Sequence, residues 1–221
     1  MSRAEVSYEI SPVDNVYYFP NNIDVRICPK NGMSTLKGAI RTVYGDIDDR
    51  GNTVGNYAWR YRKVQNNSDQ FDQPFRKGSF RIAVRRDPID RFKSACSFIQ
   101  ERQAYYLSLG RPLATIPDDL DSIITGMEEG MIKDNHFYTQ TWYMGRPEDY
   151  DMVFHIDEMP KLLTFLQDAC NIGVDIKDLH LNKSKHKLYN DAISPEQMEI
   201  LMNFYKKDFD NGWCKQDDYP V

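Results

Sequence analysis

Residues 27–36, Ile-Cys-Pro-Lys-Asn-Gly-Met-Ser-Thr-Leu, set a lysine, a glycine and two hydroxyls where a strand should turn into a helix. Val25 and Ile27 end a β-type run, and Pro29 and Gly32 break it. Leu36, Ala39, Ile40, Val43 and Tyr44 then recur at the spacing of a buried helix face. A helix starting there presents N–H groups without intrahelical acceptors, and its dipole adds partial positive charge. A phosphate or sulfate is the natural guest of such a turn. Lys30 supplies a full charge; Ser34 and Thr35 supply hydroxyls, one of which, on a plainer reading, only caps the helix.

A second junction carries more charge. Phe80-Arg81-Ile82-Ala83-Val84 reads as a strand and runs at once into Arg85-Arg86-Asp87-Pro88-Ile89-Asp90-Arg91. Pro88 suits a first helical turn, and Ile89, Phe92, Cys96 and Ile99 give that helix an apolar face. The planar fork of arginine matches phosphate oxygens two at a time. The plainer alternative pairs Arg86 and Arg91 with Asp87 and Asp90 on the surface. A third basic stretch, Leu179 to Lys187, holds Lys183, Lys185 and Lys187. Together these describe a site for a ligand with separated phosphates, such as a nucleotide charged at both its 5′ and 3′ ends.

The elements that must position these groups fit one α/β domain spanning residues 1–221, with an N-terminal edge segment over 1–24 and a polar tail over 210–221 that packs through Trp213. Leu120, Ile123, Ile124, Met127 and Met131 mark the inner face of a helix, and Tyr150 to Glu158 reads as a third strand ending in carboxylates. Leu162, Leu163, Phe165, Leu166 and Ala169 mark the next helix, and Ser194-Pro195-Glu196-Gln197 opens the last with a capping box. Between the first helix and the second strand, Gly45 to Gln73 holds Asp46, Asp48 and Asp49, then Tyr57, Trp59 and Tyr61 at period two.

The totals narrow the function classes. Hydrophobic residues make up 41% and charged residues 28%, ordinary for a globular protein, and no apolar run approaches the roughly 20 residues of a membrane span. A net charge of −5 argues against general nucleic-acid binding but leaves room for a local basic pocket. Cys28, Cys96, Cys170 and Cys214 lie far apart, with no Cys-x-x-Cys pair, which points to buried free thiols rather than a metal site. With no signal-peptide pattern at the N-terminus, a cytoplasmic location is expected.

Pro29-Lys30-Asn31-Gly32-Met33-Ser34-Thr35 resembles the 5′-phosphosulfate loop of sulfotransferases, Pro-Lys-x-Gly-x-Ser/Thr. Val84 to Ala95 is similar to the 3′-phosphate motif of the same family: an apolar strand, Arg-Asp-Pro, then Arg and Ser. Arg85 stands where that motif usually has an apolar residue. The later chain looks like the carbohydrate-type branch, with Asp134-Asn135-His136, Tyr150 to Asp157, Asn182-Lys183-Ser184 and Tyr205-Lys206-Lys207-Asp208-Phe209 in that order. The usual Golgi anchor and lumenal disulfides of that branch have no counterpart, so a soluble relative, microbial or viral, is expected.

The resemblance implies a P-loop-like central parallel β-sheet flanked by helices, the sulfotransferase fold, and 3′-phosphoadenosine 5′-phosphosulfate as donor, with adenosine 3′,5′-bisphosphate as product and no metal. Lys30, Asn31, Gly32, Met33, Ser34, Thr35 and Leu36 would wrap the 5′-phosphosulfate, Arg86 and Ser94 would hold the 3′-phosphate, and Lys183, Lys185 or Lys187 would close over the nucleotide. Lys30 would neutralise the leaving phosphate. The base for an acceptor hydroxyl, on a carbohydrate or glycolipid, would be His136, with Asp46, Asp48, Asp49, Asp157 and Glu158 as alternatives. Tyr57, Trp59, Tyr61, Trp142 and Tyr143 are candidates to stack on sugar rings, or simply core. A P-loop kinase fits less well, because Gly-x-x-x-x-Gly-Lys-Ser/Thr is absent. A catalytically idle nucleotide- or glycan-binding protein on the same fold is the other alternative.

Overall fold

The computed structural model describes residues 16–44, 71–72, 75–110, 117, 119–132, 134–173, 175–176, 179 and 193–214. Four strands make the central sheet in the order β1 (Val16–Phe19), β2 (Ile23–Ile27), β5 (Phe80–Arg85) and β6 (Met152–His155); β3 (Phe71–Asp72) and β4 (Phe75–Arg76) form a separate pair. β2, β5 and β6 run parallel, with Ile27 opposite Val84 and Arg85 opposite His155. The sheet is mixed rather than wholly parallel. β1 and β2 are joined only by Pro20, Asn21 and Asn22, and so short a link can connect only antiparallel strands. Asn21 and Asn22 take left-handed φ values of 55° and 59°, which asparagine tolerates better than most residues.

Helices cover both faces, so alternate strand residues enter different cores. Ile23, Val25, Ile27, Ile82 and Val84 pack with Leu36, Ala39 and Ile40 of α1 (Met33–Tyr44), and with Leu162, Leu163 and Leu166 of α5 (Met159–Ala169). On the other face Val16, Tyr18 and Ala83 meet Tyr143 and Trp213. A third core joins Phe92, Cys96 and Ile99 of α2 (Pro88–Ser108), Ile123 and Met127 of α3 (Leu120–Glu128), and Leu201 of α6 (Pro195–Phe204). Two short helices complete the described fold, α4 (Gln140–Met144) and α7 (Lys206–Asp210). One carboxylate is buried in the sheet itself: Asp24 meets Arg76, whose Nε and backbone N–H donate to it at 2.6 and 2.7 Å.

Several expectations change in detail. Met131 is not on the inner face of α3 but 67% exposed. Gly130, at φ +68°, ends the helix and reverses the chain, so Ile132 packs against the core in its place. The third strand stops at His155, and Ile156 to Glu158 form a 3-10 turn. The tail packs through Cys214 as well as Trp213, both buried. All four cysteines are free and buried. The capping box at Ser194 and Gln197 forms as expected. Among the described residues no helix is long and apolar enough to cross a membrane, and no cluster of His, Cys, Asp or Glu is arranged to hold a metal.

Candidate anion-binding site

The parallel strands β2 and β5 end side by side, and each feeds a helix, so the N-termini of α1 and α2 lie at the same end of the sheet. That is the end where open parallel sheets bind ligands. At the first junction the backbone is unusual. φ is +72° at Lys30 and +89° at Gly32 but not positive at Asn31. Alternation of this kind is the backbone pattern of anion-binding concavities, although here the Asn31 N–H is given to the Cys28 carbonyl at 3.3 Å. For Lys30, a residue with a Cβ, the left-handed conformation costs ~1–2 kcal/mol. The helix is anchored behind the turn: Thr35 and Leu36 donate their N–H groups to the Gly32 carbonyl at 3.0 and 3.2 Å, and Leu36 is fully buried. Met33 and Ser34 occupy the half-buried first turn.

At the second junction Asp87 caps α2. Its Oδ1 accepts from the N–H groups of Ile89 and Asp90, both at 2.9 Å, and Pro88 takes the first helical position. The surface ion pairs between Arg86 or Arg91 and Asp87 or Asp90 therefore do not form. Arg91 is instead fully buried beneath the site, and its guanidinium donates to the carbonyls of His136, Phe137 and Tyr138. Arg85, the departure from the expected apolar residue, donates to the Trp213 carbonyl at 2.8 Å and so ties down the C-terminal segment. Only Arg86 turns to the first junction, where its Nη1 donates to the Lys30 carbonyl at 2.9 Å.

Lys30 and Arg86 are both half-buried, and among the described residues neither has an acidic partner at ion-pair distance. Burial, then the neighbouring Arg86 charge, lower the Lys30 amine to about 8, with Glu101 acting the other way. Burial likewise works against the Arg86 cation. Two crowded cations beside neighbouring helix N-termini are an arrangement that an anion relieves.

His136 joins this end of the sheet through Phe98. The Lys30 ammonium sits 4.4 Å from the Phe98 ring centroid, and the imidazole centroid lies 4.6 Å from the same ring. His136 Nδ1 is 2.6 Å from Asp134 Oδ1, which also accepts the His136 backbone N–H at 2.8 Å. Burial pushes the Asp134 carboxyl up, but the hydrogen bonds and charge of His136 outweigh it and hold the group below the ordinary carboxylate range. With Nδ1 engaged, Nε2 is the imidazole nitrogen left to exchange a proton.

The other expected site residues are distributed unevenly. Ser94 lies half-buried on α2, about 9 Å along the helix from Pro88 at 1.5 Å per residue. Glu158 is engaged as a cap, accepting from the His155 N–H and from Lys161, both at 3.0 Å. Asp157 is 87% exposed and pairs with His155 Nδ1 at 3.2 Å. Trp142 is 44% exposed, whereas Tyr143 is core. Asp46, Asp48, Asp49, Tyr57, Trp59, Tyr61, Lys183, Lys185 and Lys187 lie outside the described residues.

Four further residues at this end of the sheet are not among the expected site residues, although His155 and Asp208 fall inside segments that carry the resemblance. Phe98 reads as one apolar position among many, and His155 reads as part of a strand. Gln140 and Asp208 are polar side chains buried completely. Gln140 bonds to both junctions, and Asp208 accepts the N–H groups of Gln140 and Thr141 at 2.9 and 2.7 Å.

The chain matches no protein-family model, no curated protein and no solved structure.

Proposed function

We propose that this protein is a sulfotransferase that moves the sulfuryl group of 3′-phosphoadenosine 5′-phosphosulfate to an acceptor hydroxyl, on a carbohydrate or glycolipid. The observation that carries the reading is a pair of cations, Lys30 and Arg86, at adjacent strand-to-helix junctions, neither with a carboxylate at ion-pair distance among the described residues. One junction suits the 5′-phosphosulfate, seated at the turn around Gly32 and Met33, ahead of the Thr35 and Leu36 N–H groups that bond to the Gly32 carbonyl. The other suits the 3′-phosphate, met by Arg86 and Ser94.

The chemistry then assigns roles. The acceptor oxygen attacks sulfur in line, the sulfur–oxygen bond to the phosphate breaks, and its electron pair passes to the phosphate oxygen. Lys30 offsets the charge that grows there; losing one such donor typically costs ~3 kcal/mol in the transition state. The hydroxyl proton passes to Nε2 of His136, while Asp134 at 2.6 Å fixes the imidazole and stabilises the imidazolium that forms. His155, with Asp157 at 3.2 Å, is a second His–Asp pair at the same end of the sheet and the alternative base.

Two measurements test the proposal. Adenosine 3′,5′-bisphosphate should raise the melting temperature in proportion to its saturation. Labelled sulfate should then pass from the donor to members of a panel of glycans, glycolipids and small alcohols. Absence of any thermal shift at millimolar bisphosphate would sink the nucleotide reading; a shift without transfer to any acceptor would leave a binding protein instead.

A further inference from the structure

The Gln140 side chain is fully buried, and one amide meets three groups drawn from both junctions. Its Oε1 accepts from Asn31 Nδ2 at 2.8 Å and from the Arg86 backbone N–H at 2.9 Å, while its Nε2 donates to the Arg86 carbonyl at 2.8 Å. Asn31 spends its other amide hydrogen on the Val84 carbonyl, also at 2.8 Å. Its Oδ1 is left buried with no partner among the described residues, so donation alone orients that side chain. Arg86 closes the ring by donating to the Lys30 carbonyl. Asp208 anchors Gln140 from behind through the backbone of α4.

We propose that Gln140 is a positioning residue that couples the two anion-binding junctions, so that order at the β2–α1 turn and at the β5–α2 turn rises and falls together. Two direct bonds also cross between the junctions, from Asn31 to the Val84 carbonyl and from Arg86 to the Lys30 carbonyl, but among the described residues Gln140 is the side chain that bonds to Asn31 and to both backbone groups of Arg86. Strand pairing fixes Ile27 beside Val84, but beyond those residues the two chains diverge into separate helices. There the contacts between the turns run through Asn31, Gln140 and Arg86. Both Oε1 lone pairs are used, so displacing the amide breaks its bonds to Asn31 and to Arg86 at once. Gln140 touches no ligand in this scheme; it acts through Asn31 and Arg86. For a nucleotide charged at both ends, a reading that rests on the proposed function, the coupling means that one end seated prepares the seat of the other.

The test uses the full chain with Gln140→Met, which keeps the volume and removes the amide, and Gln140→Glu, which keeps the acceptor and removes the donor. Amide hydrogen exchange on the unliganded protein should be at least tenfold faster in Gln140→Met at Asn31, Thr35 and Leu36 as well as at Arg86. Val25 and Ile82 in the sheet should stay at the wild-type rate. Gln140→Glu should restore much of the protection at Asn31. Faster exchange at Arg86 alone, or a uniform rise that includes the sheet, would overturn the coupling.

Calorimetric titration supplies a second arm. Gln140→Met should bind adenosine 3′,5′-bisphosphate at least tenfold more weakly, yet bind adenosine 5′-phosphate and adenosine 3′-phosphate within about threefold of wild type. Parallel loss for all three nucleotides, or no loss for the bisphosphate, would also overturn it. If the wild-type protein binds none of them, the nucleotide reading falls, while the exchange rates still decide the coupling.

Discussion

Lys30 rests on Phe98, its ammonium 4.4 Å from the ring centroid, and this cation–π contact favours the charged amine against the burial that lowers it to about 8. Such a contact contributes ~0.5–2 kcal/mol when partly desolvated. Between about pH 8 and the ordinary lysine value of 10.5, the unfolded chain holds a proton that folded Lys30 lacks. The stability cost from Lys30 is therefore present in full below pH 8 and relieved as pH rises through that window.

For an anionic ligand the sign is opposite. Affinity for adenosine 3′,5′-bisphosphate should be flat below pH 8 as far as Lys30 is concerned and fall above it, with proton uptake on binding. Phe98→Leu should move the falling limb to lower pH. Calorimetry in two buffers of different ionisation enthalpy reads both; a limb that stays in place would show that the ring does not support the charge.

Lys30 also bears left-handed strain, so two substitutions at this position should part company. Lys30→Gly should raise stability by ~1 kcal/mol, because glycine takes φ +72° freely, whereas Lys30→Ala keeps the strain. Both should lose sulfate transfer. Urea denaturation and a transfer assay on the two variants separate the backbone role from the charge role.

His136→Ala should lower the transfer rate ~10²–10⁴-fold if its imidazole takes the acceptor proton. Asp134→Asn should lower the rate as well, leave bisphosphate affinity near wild type, and shift the pH–rate profile, because the imidazolium loses its 2.6 Å counter-ion. An unchanged profile in His136→Ala would transfer the role to the His155–Asp157 pair. Asp134 carries its own acid limb: its folded pKa is held low, so the stability it contributes is present above the ordinary aspartate value and lost as pH falls through the depressed one.

Gly32→Ala should cost ~1–3 kcal/mol and weaken the anion seat, since φ +89° strains any residue with a Cβ. A Cβ there would also stand 2.5 Å from Met159 Cε. That methyl ends a flexible side chain, so a Met159→Ala background should recover only the smaller part of the loss. Full recovery in the double variant would make the clash, not the backbone, the cause.

What was legible in the sequence is what short-range periodicity and capping chemistry encode. Leu36, Ala39 and Ile40 repeat on the face they bury, Pro88 and Ser194 open the helices they signal, and the run that ends at Val25 and Ile27 becomes the strand beside the run at 80–84. Even the two junctions were visible, because each is a local change of period beside a cation. The partners of those cations were not. Gln140 lies 54 positions from Arg86 and Asp208 lies 68 from Gln140, and nothing local marks a buried amide or carboxylate as bonded. Arg91 looked like Arg86 by spacing, yet one helical turn sends it inward to three carbonyls. Met131 failed for the opposite reason: the apolar period ran past a glycine that the backbone used to stop.

The hydrogen bond from Arg85 to the Trp213 carbonyl joins residues 128 positions apart, next to the strand end that carries Arg86. A contact of that sequence separation carries a larger loop-closure cost than the turns of a local helix or a neighbouring strand pair. During synthesis from the N-terminus, the second junction lacks this brace until the segment through Trp213 has emerged. Nascent chains that stop short of that point would hold the sheet and the first helix but not a finished anion seat.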